Sequence, residues 1–477
     1  MEPSDSSSAC TRKRCERNSV NSALQYELQG DGVTKNVEGL RSRVLRAGSW
    51  TIVGVALGQI LRFGSNLVLT RLLFPEAFGI MAILTAVLVG VAMLSDVGLS
   101  MSIVRSKRGS DVAYMNTVWT MQIIKGVLVA LGLWLAARFV GSAYDQPLLA
   151  EMLPALGLVA LLNGFNSTKA DLATREMRVA APILLGLLAQ VVGVTIMIGV
   201  ALLKPTPWAL LAGNVASAAV SMAGSHLMLP GPTNRLAWDV AAARDVAHFG
   251  GWIMLGSAVA YFAGDGTQLV RAALVDLRLL GLLGLASAMS IAAWSIIQQV
   301  AGRVLFPAYA EVWRHDPDRQ ASVVERARRV QLIAGGLFSI AMVIAGPAIV
   351  GLLYDARYAD AGLVLQVQSA GMMVTLLSAS YFGVLHARGR PGLSTAILAC
   401  QVTINVACML IGAKIAGGAG VVAGSALSGW IFYPINAWAY YKVGLWQPRT
   451  DLPMLIAAFI VSAWVAINGD WSVASAW

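Results

Sequence analysis

Uninterrupted apolar stretches of roughly 20 residues recur along almost the whole chain, the length a helix needs to cross a hydrocarbon core at about 1.5 Å per residue. They fall near 47–70, 78–101, 114–138, 148–168, 181–203, 208–229, 249–271, 281–306, 331–354, 363–386, 392–415, 418–441 and 452–469. Lipid is therefore the solvent for most of the chain, and each segment must satisfy its own backbone hydrogen bonds. Composition agrees: 57% of the 477 residues are hydrophobic and 13% charged, where soluble domains carry about 25% charged residues. Outer-membrane barrels are excluded, because their strands alternate over about ten residues instead of running apolar throughout. The expected fold class is an all-α polytopic membrane protein of about 12–13 transmembrane helices in two six-helix lobes around a central cavity. The last segment is short, ends at Gly469, Asp470 and Trp471, and reads either as a span or as an interfacial helix.

The net charge of +10 is a topology signal here, not a nucleic-acid signal, because the basic residues lie mostly in short loops. Alternate loops hold Arg105, Lys107 and Arg108; Lys169, Arg175 and Arg178; Arg235 and Arg244; Arg314, Arg319, Arg326, Arg328 and Arg329; Arg388 and Arg390; and Lys442 and Arg449. The opposite set holds Arg71, Arg138, Lys204, Arg271, Arg278, Arg357 and Lys414. With the basic N-terminal tail added to the first set the excess is more than threefold, which predicts a cytoplasmic N-terminus. Residues 1–46 are polar and Ser-rich without an apolar core, and read as a disordered cytoplasmic tail. The expected organisation is that tail, an N-terminal lobe over 47–229, a cytoplasmic linker over 230–248, a C-terminal lobe over 249–442 and an extra hydrophobic segment over 443–477. Cys10, Cys15, Cys400 and Cys408 have no metal-type spacing, so reduced structural thiols are expected.

The stretch from Leu69 to Gly79 and that from Leu274 to Gly284 each close one helix, turn, and enter a second through an aromatic-or-Leu–Gly pair. Both halves start inside, so a repeat would be parallel; chance similarity between two apolar hairpins stays open. Enzyme signatures are missing: no P-loop, GxSxG, HExxH or paired-Cys motif. Passage of something across the bilayer remains, driven by a gradient or by mass action.

Polar residues at membrane depth are then the informative ones, since a charge at a helix centre costs about 2.5–3.5 kcal/mol on insertion scales. Gln59, Arg62 and Asn66 share one helix face, Gln122 and Lys125 another, Tyr261, Asp265 and Gln268 a third, and Ser295, Gln299 and Arg303 a fourth. Arg303 equally suits a headgroup anchor, and Lys125 could snorkel from a lipid-facing site. Arg62 and Asp265 lie about 15 residues into the first helix of each half, at similar depth, and are the expected gate pair.

The chain resembles bacterial oligosaccharide flippases of the Wzx type, within the multidrug, oligosaccharidyl-lipid and polysaccharide exporter superfamily. The resemblance rests on Thr70-Arg71-Leu72-Leu73 with Pro75 and Phe78-Gly79; Ser95-Asp96-Val97-Gly98-Leu99; Arg175-Glu176-Met177-Arg178; Asp265 with Leu283-Gly284-Leu285-Ala286-Ser287-Ala288; Leu305-Phe306-Pro307-Ala308; Tyr358-Ala359-Asp360-Ala361; and Ala387-Arg388-Gly389-Arg390-Pro391. It covers about residues 45 to 445. It implies flipping of undecaprenyl-pyrophosphate-linked oligosaccharide repeat units to the periplasmic leaflet of the inner membrane, for exopolysaccharide, capsule or O-antigen assembly, by alternating access and without cofactor or catalysis. It also implies a cationic cavity, to which Arg62, Lys125 and Arg303 correspond, with Gln59, Asn66, Gln122 and Gln299 beside them and Asp265 in a gating or coupling role. A polysaccharide polymerase and a chain-length regulator are the implied partners. The alternatives are a cation-coupled drug exporter, which predicts an acidic cavity, and a polymerase or ligase, which predicts a long outer loop. A thirteenth helix would fit neither a twelve- nor a fourteen-helix member.

Overall fold

A computed structural model describes residues 48–95, 98–300, 320–387 and 391–472. Regular structure among them is entirely helical, and nine of the described helices are long and apolar enough to cross a membrane. The first half begins with α1 (Gly48–Leu72), α2 (Pro75–Leu94), the short α3 (Leu99–Arg105) and α4 (Val112–Ala143). It continues with α5 (Pro147–Gly164), the short α6 (Lys169–Arg175), α7 (Ala180–Leu203) and α8 (Trp208–Leu227). The second half holds α9 (Val240–Ala263), α10 (Gly266–Leu274), α11 (Leu277–Val300), α12 (Gln320–Leu353), α13 (Ala361–Ala387), α14 (Pro391–Lys442) and α15 (Pro448–Asn468).

Each of the apolar segments read from the sequence corresponds to a helix or a helix arm. The 52 residues of α14 would exceed a bilayer core twice over at about 1.5 Å each. Non-helical backbone at Ala416 and Gly417, the latter at φ 56°, folds them into two arms. Those arms run antiparallel: Gly412 meets Gly420, Gly424 meets Cys408, and Asn405 Nδ2 donates to Ser428 Oγ at 2.8 Å. Glycine here lets two backbones touch, the usual device of helix contacts in lipid. Proline opens α2, α5 and α15, where the missing N–H has no helical partner to lose. Asp111 caps α4 and Asp239 caps α9 by accepting from the backbone N–H two residues on.

Boundaries differ from the sequence reading at three places. The second span ends at Leu94, and Gly98 at φ 63° turns the chain into α3 instead of continuing the helix to 101. The seventh span breaks at Gly264, where φ −116° and ψ −103° separate α9 from α10, so Tyr261, Asp265 and Gln268 do not share one helix face. The ninth starts at Gln320, so Arg326, Arg328 and Arg329 are helical and not in a loop.

Two large apolar cores divide along the chain. One joins α2, α4, α5 and α8 and takes in Leu280 of α11, and the other joins α11, α12, α13, α14 and α15. The halves meet where the first turns of α2 and α11 cross. A methyl group on Gly79 would collide with the carbonyl oxygen of Leu277, and one on Gly281 with that of Pro75. The crossing aligns Pro75 with Leu277 and Gly79 with Gly281. The sequence comparison had instead set Gly79 against Gly284, which has nothing near it.

Candidate functional site

At the C-terminal end of α2 a cavity of about 770 Å³ opens between α2, α4 and α5. Its floor is set by glycine: Gly126 of α4 and Gly164 of α5 approach so closely that a methyl group on either would press on the other's backbone. Gln122 and Lys125 project from α4 into this space, beside Asn163 and Ser100. Lys125 lies 13 residues into α4 from Val112, about 20 Å along the axis. The Gln122 amide donates to the carbonyls of Asn163 and Asn166 at 3.1 and 3.3 Å. Lys125 is the charged residue among the described lining residues, and no carboxylate is among them. The described wall is thus mostly apolar, with the half-buried Lys125 and the polar Gln122, Asn163 and Ser100 set into it.

Gln122 and Lys125 are the expected site residues that the structure brings together. In α1, Arg62 is exposed while Gln59 and Asn66 are half-buried, and none of the three lines this cavity. Asp265 is exposed at the start of α10. Arg62 lies 14 residues into α1, whereas the break at Gly264 puts Asp265 between α9 and α10, so the expected equal placement within the first helix of each half does not hold, and no ion pair joins the two among the described residues. Gln299 belongs to α11, but its side chain and the whole of Arg303 lie outside the described residues, as does Asp96.

At the N-terminal end of α2 the halves are sealed. Tyr358, fully buried, donates its phenol to the carbonyl oxygen of Leu73 at 2.9 Å. Arg357 donates to the carbonyl of Arg71 at 3.0 Å and lies over the Phe74 ring, and Phe78 packs edge-on against Tyr358. Arg278 pairs with Asp360 at 2.9 Å. The Arg357 guanidinium beside Asp355 holds that carboxyl below its usual range. Two of the sequence motifs behind the resemblance, around Thr70–Gly79 and Tyr358–Ala361, are thus the two sides of one seam.

The other end of the molecule is stitched by its basic residues. Arg175 donates to the carbonyls of Ile103, Val104 and Ser106, satisfying the end of α3. Arg108 pairs with Asp239 at 2.7 Å and with Asp111 at 3.1 Å, and its hydrogen bond lowers the Asp239 pKa. Burial pushes Asp171 up to about 6, against an opposing hydrogen bond from Ser100.

One constellation was not legible in the sequence. Arg328 and Asp451, 0% and 1% exposed, form an ion pair at 2.7 Å. Arg328 also donates to Ser380 and Gln447 and lies 3.3 Å over the Tyr381 ring. Tyr381 and Tyr433 donate to the second carboxylate oxygen of Asp451 at 3.1 and 2.9 Å. This network ties α15 to α12, α13 and α14.

Residues 68–362 match the family profile described as "Polysaccharide biosynthesis protein". The chain is 21% identical to the lipopolysaccharide biosynthesis protein WzxC of Escherichia coli K12, over 88% of each chain. It is 26% identical to the succinoglycan biosynthesis transport protein ExoT of Rhizobium meliloti, over 68% of this chain and 65% of that one. Among solved structures it matches the lipid II flippase MurJ in an inward closed conformation, with TM-score 0.65, 10% identity and coverage of 90% and 94%. It also matches an inward-facing multidrug MATE transporter, with TM-score 0.64, 13% identity and coverage of 82% and 98%. Three of these relatives are described as a transport protein, a transporter and a flippase.

Proposed function

The chain belongs to the polysaccharide biosynthesis protein family, and from that premise we propose that it flips undecaprenyl-pyrophosphate-linked oligosaccharide repeat units from the cytoplasmic to the periplasmic leaflet of the bacterial inner membrane. The observation that carries the reading is the polarity of the molecule along α2. One end is sealed between the halves by Gly79, Gly281, Leu73 and Tyr358, and the other opens on a cavity holding Lys125. The basic-loop excess assigns the sealed end to the periplasm and the open end to the cytoplasm, with the N-terminus inside. This is an inward-open stage of alternating access, in which the diphosphate enters near Lys125 while the prenyl chain stays in lipid. Opening the seam while closing the basic end completes the cycle. Arg62, Asp265, Gln59, Asn66, Gln299 and Arg303 belong in this reading to the path between the lobes, and Arg62 with Asp265 to its gating.

The test is translocation in vesicles reconstituted with the full chain. The probe is a fluorescently labelled undecaprenyl-pyrophosphate trisaccharide, placed in both leaflets and quenched from outside by an impermeant reductant. Protein-containing vesicles are expected to lose most of the signal and protein-free vesicles about half. Equal quenching in the two overturns the reading.

A further inference from the structure

The Arg328–Asp451 pair has neighbours in both chain segments that it joins. Arg329 follows Arg328 on α12, while Arg449 and Thr450 precede Asp451 on α15. All three line a groove of about 470 Å³ between those helices. The helices run side by side in the same direction, because the Arg328–Asp451 pair is followed, further along both, by the contact of Gly336 of α12 with Met454 of α15. Arg329 lies seven residues before that contact and Arg449 five, so both guanidinium groups stand at one end, about 8–10 Å along the axis from it. Leu332, Ile333, Leu337, Ile340, Pro453 and Ala457 make the remaining walls. The groove is thus cationic at its mouth and apolar along its length.

Thr450 gives a second, independent sign of a ligand. Its side chain is only 8% exposed, it lines the groove, and its hydroxyl has no hydrogen-bond partner. A buried hydroxyl without a partner is unfavourable, and a ligand oxygen that reached it at the mouth would supply the missing bond. Arg329 is partly neutralised by Glu325 at 2.6 Å. Arg449 is exposed and makes no ion pair among the described residues.

We propose that this groove is a binding site for an anionic phospholipid. The phosphate sits between Arg329 and Arg449 and accepts from Thr450, and one acyl chain lies along Leu332, Leu337 and Ile340. The buried Arg328–Asp451 network holds α12 and α15 in the register that puts both arginines on one groove. The site is separate from the cavity at Lys125 and does not depend on what the protein transports.

Native mass spectrometry of the full chain in detergent tests this. The probes are phosphatidylglycerol, phosphatidylcholine with the same acyl chains, and glycerophosphoglycerol, the headgroup without chains. Phosphatidylglycerol is expected to be retained preferentially, with Arg329→Gln/Arg449→Gln lowering its retention about tenfold, as loss of charge-assisted phosphate bonds does. Leu337→Trp, at an exposed position, should fill the groove and lower retention with both arginines intact. Equal retention of the two lipids overturns the anionic headgroup, and undiminished retention by the double variant overturns the site. Equal competition by the free headgroup shows an anion site only and overturns the lipid. If the double variant is unstable, Arg449→Gln alone and Leu337→Trp decide: wild-type retention by both rejects the proposal.

Discussion

Gly79 and Gly281 are reciprocal partners: each presents the bare face on which the first-turn carbonyl of the other's helix rests, Leu277 on Gly79 and Pro75 on Gly281. Such an exchange is what a two-fold axis along the membrane normal would produce between equivalent positions of two parallel repeats. Backbone lies against backbone, so a side chain at either position cannot be accommodated by a rotamer change. Gly79→Val is expected to hold the seam open. A cysteine replacing Leu73, fully buried here, should react with a membrane-impermeant maleimide several-fold faster in the Gly79→Val background than alone, with Cys10, Cys15, Cys400 and Cys408 changed to Ala. Unchanged labelling would show that the seam tolerates the wedge.

The Arg328–Asp451 pair makes a sharper stability prediction. Removing one member of a buried ion pair strands the other and costs about 3–5 kcal/mol, whereas replacing both with apolar groups is close to neutral. Asp451→Ala should therefore lower the unfolding temperature in detergent steeply, and Arg328→Met/Asp451→Leu much less. A double variant as unstable as the single would mean that the bonds from Ser380, Gln447, Tyr381 and Tyr433 matter more than the charges.

Span positions were legible because an apolar run of bilayer length has one solution in lipid, and even the turn at Ala416–Gly417 left its mark as a break in the run. The Arg328 network was not, because its partner lies 123 residues away and an arginine near a span end reads as a topology charge. The likeness of the two hairpins was visible but the register in which they meet was not: Gly281 and Gly284 stand one helical turn apart, and only the crossing chooses between them. Likewise Gln122 and Lys125 were found by their spacing on one face, while the seam partners of Leu73 and Arg71 lie some 285 residues on. Hydropathy carries no record of such pairings.

Asp171 gives a pH signature. Its pKa is raised in the folded protein to about 6 from 3.8, so the folded state holds a proton that the unfolded state has released between those values. Stability therefore falls as pH rises through that window, and the full cost is present above about 6. Asp171→Asn should be more stable than the parent at pH 7.5, with the gap in unfolding temperature closing as pH drops below about 4. A gap independent of pH would assign the effect to packing instead.

Orientation is testable with reporter fusions at the loop positions read from the sequence. Fusions after Arg178 and Arg390 are expected to read cytoplasmic and fusions after Asp145 and Asp355 periplasmic, following the basic-residue excess. Arg328 is unsuitable despite its place in that count, because a fusion there would cut the buried network. A periplasmic reading at Arg178 would invert the direction assigned to the seam and to the cavity together.

Lys125 separates a substrate path from a structural cavity. It occupies the cavity wall with Gln122 and Asn163, about 20 Å along α4, where an ammonium serves either to meet a diphosphate or only to snorkel toward a wet surface. If it meets the diphosphate, charge is what matters and the fork geometry of arginine is not required. Lys125→Arg should then retain most surface glycan in cells, whereas Lys125→Gln, similar in length but neutral, should lose about tenfold or more, the scale of one charge-assisted contact. A snorkelling lysine predicts that Gln and Ala are tolerated alike. Protein amount in the membrane must be equal across the variants for the comparison to hold. Normal export by Lys125→Gln at equal amount would take Lys125 out of the path and leave the cavity as packing between α2, α4 and α5.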